Sequence, residues 1–184
     1  LRFNMAPMDE EYLEDIGNKT NLIPINPSMI EYRKKARVKT TRALMSDLSV
    51  YGDSYLWIWA FGMISPPGGR DHGGARSLSH RNQVILPYPS LIGSIRSFWK
   101  ENGIAANQPS TGRLRMTSLA TQMCEEVRLY GFWPFHFDRN NRRLTEHYYD
   151  NVLPKKVHRV PDEFKQLQHL HNTGVLRLTT HACQ

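Results

Sequence analysis

Three short segments combine residue types that packing alone does not select. Ser110-Thr111-Gly112 stands where a strand gives way to a helix. Exposed backbone donors and the positive end of the helix dipole meet at such a corner, which suits it to an anion. The plainer reading is an ordinary N-cap followed by a glycine. His147-Tyr148-Tyr149-Asp150 follows a polar loop, Asp138 to Arg143, and the aromatic run Tyr130-Gly131-Phe132-Trp133-Pro134-Phe135. A His among aromatic rings can hydrogen-bond a phosphate while the rings stack a base. A strand carrying Phe and Trp is more often simply core. His158 comes just before a helix start that has Asp162 and Glu163 in its first turn. A His so placed can be a general base near neutral pH. It can also be a surface residue beside two acids that merely complement the helix dipole.

Metal chemistry finds little support in the same residues. No two Asp residues stand two apart, so the Asp-x-Asp arrangement that often holds a divalent ion against a sugar nucleotide is absent. The eight His show no His-Glu-x-x-His spacing, and the two Cys are too far apart for a zinc knuckle. No bound metal and no cofactor are expected, so protein donors must meet any phosphate. Cys124 and Cys183 have no recognisable nucleophile context.

The elements that must carry these segments alternate in type along the chain. Thr20 to Ile25 reads as a short strand stopped by Pro27, after which Ser28 caps a helix to about Arg37. Ser54 to Phe61 is apolar on both faces, as in a central strand of a covered sheet. The Gly/Pro-rich run from Ser65 to Gly74 is a surface loop. Val84 to Leu86 resumes a strand, and Ser90 caps a helix with Leu91, Ile92, Ile95, Phe98 and Trp99 inward, ending at Gly103. Gly112 opens a third helix, in which Leu114, Leu119, Met123 and Val127 lie near one face. Leu129 to Pro134 returns as a strand. Pro161 suits the first turn of a last helix with Phe164, Leu167 and Leu170 inward, Gly174 ends it, and Val175 to Leu178 closes as a strand. The pattern predicts an α/β fold, one domain over residues 1–184, with helices on both faces of its sheet.

Composition bounds the function classes. The chain has 184 residues, 40% hydrophobic and 22% charged, which excludes disorder; 12 Gly and 11 Pro exclude a collagenous or low-complexity chain. Two Cys exclude a disulfide-dense scaffold. The longest apolar run, Leu56 to Ile64, is about half a membrane span. The chain opens at Leu1 with neither a start Met nor a signal peptide, so an upstream segment is expected. The 24 Lys and Arg exceed the 17 Asp and Glu by seven, a balance that suits nucleic acid, anionic lipid or an anionic small substrate. The densest basic cluster, Arg33 to Arg42, lacks the interleaved aromatics of a base-stacking surface and reads as a solvated face.

In this order the segments resemble the animal sialyltransferases, most closely the alpha-2,8 branch and within it the ganglioside disialyl synthases. Leu1-Arg2-Phe3-Asn4-Met5-Ala6-Pro7, with Gly17-Asn18-Lys19-Thr20 and Ile25-Asn26-Pro27-Ser28, resembles the second half of the family's large sialylmotif. Ser110 through Cys124-Glu125-Glu126 to Phe135 resembles the small motif, His147 to Asp150 motif three, and His158 with Glu163 the very small motif. The resemblance implies a Golgi type II membrane enzyme with a variant nucleotide-binding, Rossmann-type sheet of GT-A-like kind, whose membrane anchor is upstream. Its activity would be inverting, metal-independent transfer of sialic acid from CMP-sialic acid to the 8-OH of a terminal sialic acid on a glycolipid or glycoprotein. His158 would be the general base and His147 the donor to the departing phosphate. Ser110, Thr111 and Gly112 would hold the donor's carboxylate and phosphate region, Trp133 would line the cytidine site, and Asn4 would contact the nucleotide. Cys124 and Cys183 would each pair with a cysteine upstream.

The chain departs from the family pattern at Glu146, where Tyr or His commonly precedes the motif-three His, and at Arg113 and Arg115, where the family is usually apolar. The Gly/Pro loop, taken from Ser65 to His80, looks like an insertion. Asn18-Lys19-Thr20 is also an N-glycosylation pattern. The rival reading is a non-catalytic basic module that binds sialylated glycan or nucleic acid. A transferase of this family implies no nucleic-acid partner, whereas a nucleic-acid binder would lose affinity steeply with salt and ignore CMP.

Overall fold

The computed structural model describes residues 1–26, 29, 46–59, 82–104, 111–152 and 160–181. In chain order the elements are α1 (Glu10–Ile16), β1 (Leu22–Ile25), β2 (Tyr55–Ile58), β3 (Val84–Ile85), α2 (Pro89–Glu101), α3 (Gly112–Met123), β4 (Arg128–Leu129), α4 (Val160–Asn172) and β5 (Arg177–Leu178). Helices mixed with parallel strands bear out the α/β class. The residues gather into two compact units, Leu1–Leu91 and Ile92–Gln184. No linker announces that division, because it falls inside α2.

In the first unit the strands are parallel in the order β1-β2-β3, so the apolar run around Trp57 is central as expected. Leu56, Trp57 and Ile58 are buried, and Leu56 and Ile58 join Met5, Ile23, Ile25, Leu48 and Tyr51 in one core. A proline sits inside β1 because Pro24 needs only to accept there. Its carbonyl receives the Asn4 amide at 2.9 Å, while β2 is reached through the carbonyls of Asn21 and Ile25. Two buried polar side chains, Ser54 and Asn82, are satisfied by backbone carbonyls. The Ser54 hydroxyl reaches the carbonyls of Thr20 and Tyr51, and Asn82 Nδ2 donates to the carbonyls of Gly52 and Ser54. Of the helix expected from Ser28 only Met29 is described, and it is helical; the Gly/Pro loop and the basic cluster lie outside the described residues.

The second unit is built on a two-stranded parallel sheet, with Arg128 opposite Arg177 and Leu129 opposite Leu178. α3 and α4 bury Leu114, Met116, Phe164 and Leu167. Trp99 Nε1 of α2 donates to Ser118 Oγ of α3 at 2.6 Å, and Gln166 of α4 donates to the Asn102 carbonyl at 2.8 Å.

Several boundaries differ from the sequence reading. α2 begins at Pro89 itself, so Ser90 is helical rather than a cap; a proline's missing donor is harmless in a first turn. Phe98 is about half exposed, leaving Ile95 and Trp99 as the buried pair. α3 stops at Met123, which is 73% exposed, and Val127 is buried only as the chain enters β4. β4 ends at Leu129 rather than Pro134, because Gly131 takes a φ of 69° and turns the chain out of the ladder. Gly103 and Gly174, both at positive φ, end α2 and α4 as expected.

Candidate functional site

The Ser110-Thr111-Gly112 segment becomes the N-terminus of α3, with Ser110 outside the described residues. Thr111 is the N-cap, its hydroxyl accepting from the Leu114 amide at 3.2 Å. The same residue is gripped from α4. Glu163 Oε1 accepts the Thr111 amide at 2.7 Å, and Glu163 Oε2 accepts the Thr111 hydroxyl at 2.5 Å. Glu163 is only 6% exposed, a position that an ionised carboxylate tolerates only when it is hydrogen-bonded and charge-compensated. Both conditions are met by Thr111, the dipole of α3 and the positive charges of Arg113 and Arg115, which interact with Glu163. In helix geometry the amides of Gly112 and Arg113 keep no intrahelical acceptor, so these are the donors the corner offers to an anion.

Arg113 and Arg115 are the two departures noted in the sequence, and their environment shows what they do. Burial lowers the pKa of each guanidinium; in Arg113 the charges of Glu146, Glu163 and Tyr149 push the other way without overcoming it. In Arg115 Glu163 alone opposes burial. Glu146, the third departure, is therefore a charge partner of the first. The guanidinium of Arg113 also sits 5.8 Å from the Phe132 ring centroid, a cation–π distance.

His147 lies in the loop that returns from the polar hairpin at 137–143, where Phe137 and Arg143 form an antiparallel bridge. Its Nδ1 is 2.6 Å from Asp150 Oδ2, and its ring stacks on Tyr149 with centroids 5.0 Å apart and planes 13° from parallel. Asp150 Oδ1 accepts the Val152 amide at 3.1 Å. Burial raises the Asp150 pKa, but the hydrogen bonds from His147 and Val152 and the charge of His147 together hold it below its ordinary 3.8. Trp133 joins an edge-to-face triangle with Phe135 at 5.1 Å and Phe164 at 6.0 Å. Its Nε1 donates to the Phe137 carbonyl at 2.8 Å, and Arg139 lies 5.8 Å over its ring. Beyond the carboxyl ends of β4 and β5, Trp133, Arg139 and His181 border an open cleft of about 190 Å³. That is smaller than a typical site for a whole small-molecule ligand.

The second unit thus gathers Thr111, Gly112, Trp133 and His147. Asn4 belongs to the first unit, at the carboxyl end of β1, where open α/β sheets commonly bind ligands. Asn4 takes a φ of 54°, and its Oδ1 accepts the Asn26 amide at 3.0 Å, so its amide orientation is fixed by a donor that can meet only oxygen. His158 and Cys183 lie outside the described residues; α4 begins two positions after His158. Cys124 is an exposed free thiol. Among the described residues no group of three or more His, Cys, Asp or Glu is placed to hold a metal ion, and no helix is long and apolar enough to cross a membrane.

Sequence reasoning missed three contributors. Glu163 stands in a first turn, where an acid complements its own helix, and nothing in that position points to the N-cap of another. Asp150 has no role in the motif read from sequence, although its spacing of three from His147 is a usable signal. The charges of Arg113 and Arg115 were visible, but their counter-charge was not.

The family profile of glycosyltransferase family 29 (sialyltransferase) matches residues 1–175, and the chain belongs to that family. It is 37% identical over its whole length to alpha-N-acetylneuraminide alpha-2,8-sialyltransferase from Xenopus laevis, and likewise to that from Bos taurus, covering 52% of each. Alpha-2,8-sialyltransferase 8F from Homo sapiens is 35% identical, with 47% of it covered. The chain thus spans about half the length of the relatives it matches. The fold is similar to a crystal structure of a mammalian sialyltransferase, with a TM-score of 0.57 at 17% identity over 98% of this chain and 59% of the other. A mammalian sialyltransferase in complex with Gal-beta-1-3GalNAc-ortho-nitrophenol gives a TM-score of 0.56 at 19% identity.

Proposed function

We propose that the protein is an alpha-2,8-sialyltransferase of the Golgi lumen. It would move sialic acid from CMP-sialic acid to the 8-OH of a terminal sialic acid on a glycolipid or glycoprotein, with inversion and without a metal. The observation that carries this reading is the similarity to alpha-2,8-sialyltransferases along the entire chain.

The chemistry sets demands that the second unit's residues suit. As CMP leaves, positive charge grows on the sugar ring and negative charge on the phosphate, so donors already in place lower the barrier. His147 is the candidate donor to that phosphate. The amides of Gly112 and Arg113 would meet the anionic donor, with Thr111 shaping the corner because its own amide and hydroxyl are engaged by Glu163. His158 would take the proton of the acceptor hydroxyl, a role worth on the order of 10²- to 10⁴-fold. Trp133 would border the cytidine, and Asn4 would contact the nucleotide.

The test is mass-spectrometric detection of sialic acid transfer from CMP-sialic acid to sialylated lactose and to a sialylated ganglioside, using the full-length protein and its His158→Ala variant. Transfer that disappears in the variant is the expected result. Transfer that survives removes His158 from its role. A folded protein that binds CMP and yields no product with either acceptor refutes the transferase reading.

A further inference from the structure

We infer that Asp150 is a positioning residue, which acts through His147 by fixing the imidazole with Nδ1 protonated and Nε2 turned toward the departing phosphate. The inference rests on the transferase reading above and adds to it a residue with no role so far.

An ionised carboxyl only accepts, so the nitrogen of His147 at 2.6 Å from Asp150 Oδ2 must be the one that carries hydrogen. Two nitrogens share the ring, and fixing one fixes the other: Nε2 becomes the atom available to a substrate. The state of Asp150 supports this, since hydrogen bonds hold its carboxyl in the ionised form.

Asp150 is itself anchored, as a positioning group must be. The Val152 amide donates to its second oxygen at 3.1 Å, and Glu146 donates its amide to the Val152 carbonyl at 2.9 Å. The Thr145 hydroxyl donates to the His147 carbonyl at 2.5 Å, closing the loop on itself. Tyr149, stacked on the imidazole, holds the plane of the ring in which the hydrogen bond holds its rotation. With hydrogen on both nitrogens the ring donates from Nδ1 to Asp150 and from Nε2 to a phosphate oxygen. Asp150 itself is paired away through both oxygens. Its effect on the reaction must therefore pass through His147.

The experiment is a double-mutant cycle in the full-length enzyme: wild type, Asp150→Asn, His147→Ala and the double variant, with kcat and both KM values measured and the thermal midpoint as a control on folding. Asp150→Asn is expected to lower kcat by about tenfold or more, as when the carboxylate behind a functional His is removed. KM for CMP-sialic acid and for acceptor should stay within about twofold, because the interaction strengthens only in the transition state. In the His147→Ala background the same substitution should change kcat by less than about twofold. Losses that multiply, or a loss carried by KM, would overturn the inference, as would an Asp150→Asn enzyme equal to wild type. Nitrogen NMR of His147 in the wild-type protein gives a reading that needs no variant to fold, and an unprotonated Nδ1 at neutral pH would also overturn it. A wild-type protein that transfers no sialic acid refutes the transferase reading, and this inference with it.

Discussion

Glu163 and Asp150 each hold a candidate site residue in place with a carboxylate, and they do so under opposite conditions. Glu163 is buried against the start of a helix other than its own, and its partners are a backbone amide, a hydroxyl and two arginine charges. Asp150 is partly open to solvent, three residues from the ring it holds, within a loop that closes by local hydrogen bonds. A buried carboxylate is stable only while all of its compensation is present, so Glu163 couples the site to the stability of the whole unit. A solvated one can be altered with little effect on folding, so Asp150 can be tuned for chemistry.

The sharpest way to break this comparison is Glu163→Ala. It leaves the Thr111 amide unpaired in the interior and removes the carboxylate charge that opposes the burial of Arg113 and Arg115, and should cost about 3 kcal/mol or more in chemical denaturation. A loss below about 1 kcal/mol would mean that the corner relaxes and that Glu163 does not couple site to stability. Glu163→Gln keeps the shape and an acceptor for the amide but removes the charge, and should cost about 1–2 kcal/mol. Asp150→Asn should cost less than about 1 kcal/mol after solvent screening, even where it slows turnover. A stability loss as large as that of Glu163→Ala would erase the distinction between the two regions.

Acid gives a further test of the solvated side. The Asp150 carboxyl is depressed below its ordinary 3.8, so its contribution is fully present above that value and is lost only as pH falls through the lower folded one. Carbon NMR should therefore find Asp150 still ionised at pH 4; a carboxyl half-protonated there would contradict the hydrogen bonds that lower it. The smallest effect belongs to the surface pair Glu126–Arg128, at 2.7 Å but well exposed on both sides. Glu126→Gln should leave the denaturation midpoint unchanged.

Local pattern made much of the fold legible. The apolar run at Tyr55–Ile58 suggested a covered strand, Pro161 and Gly174 bracket a helix by their own stereochemistry, and Gly112 follows an N-cap. Strand lengths were less legible. Tyr130 and Phe132 continue a strand-like composition, yet Gly131 at positive φ ends the ladder, and composition does not report φ. In the site, Thr111 and His147 could be read from residue type, whereas the partners that fix them could be read only in part. His147 and Asp150 are three apart and their pairing is a local matter; Thr111 and Glu163 are 52 residues apart, and nothing near either residue points to the other.

The sequence by itself determined the α/β class, the helix and strand cores, and the motif residues by which the chain belongs to glycosyltransferase family 29, because these depend on periodicity, stereochemistry and residue identity over short spans. Only the tertiary structure decided that Glu163 holds the N-cap residue of α3, that Glu146 answers the charge of Arg113, and that Trp133 packs against Phe164. Those pairings follow from the way β4, α4 and β5 bring distant segments into one unit. A buried charge or ring is satisfied by whatever neighbour the fold supplies, whatever its place in the sequence.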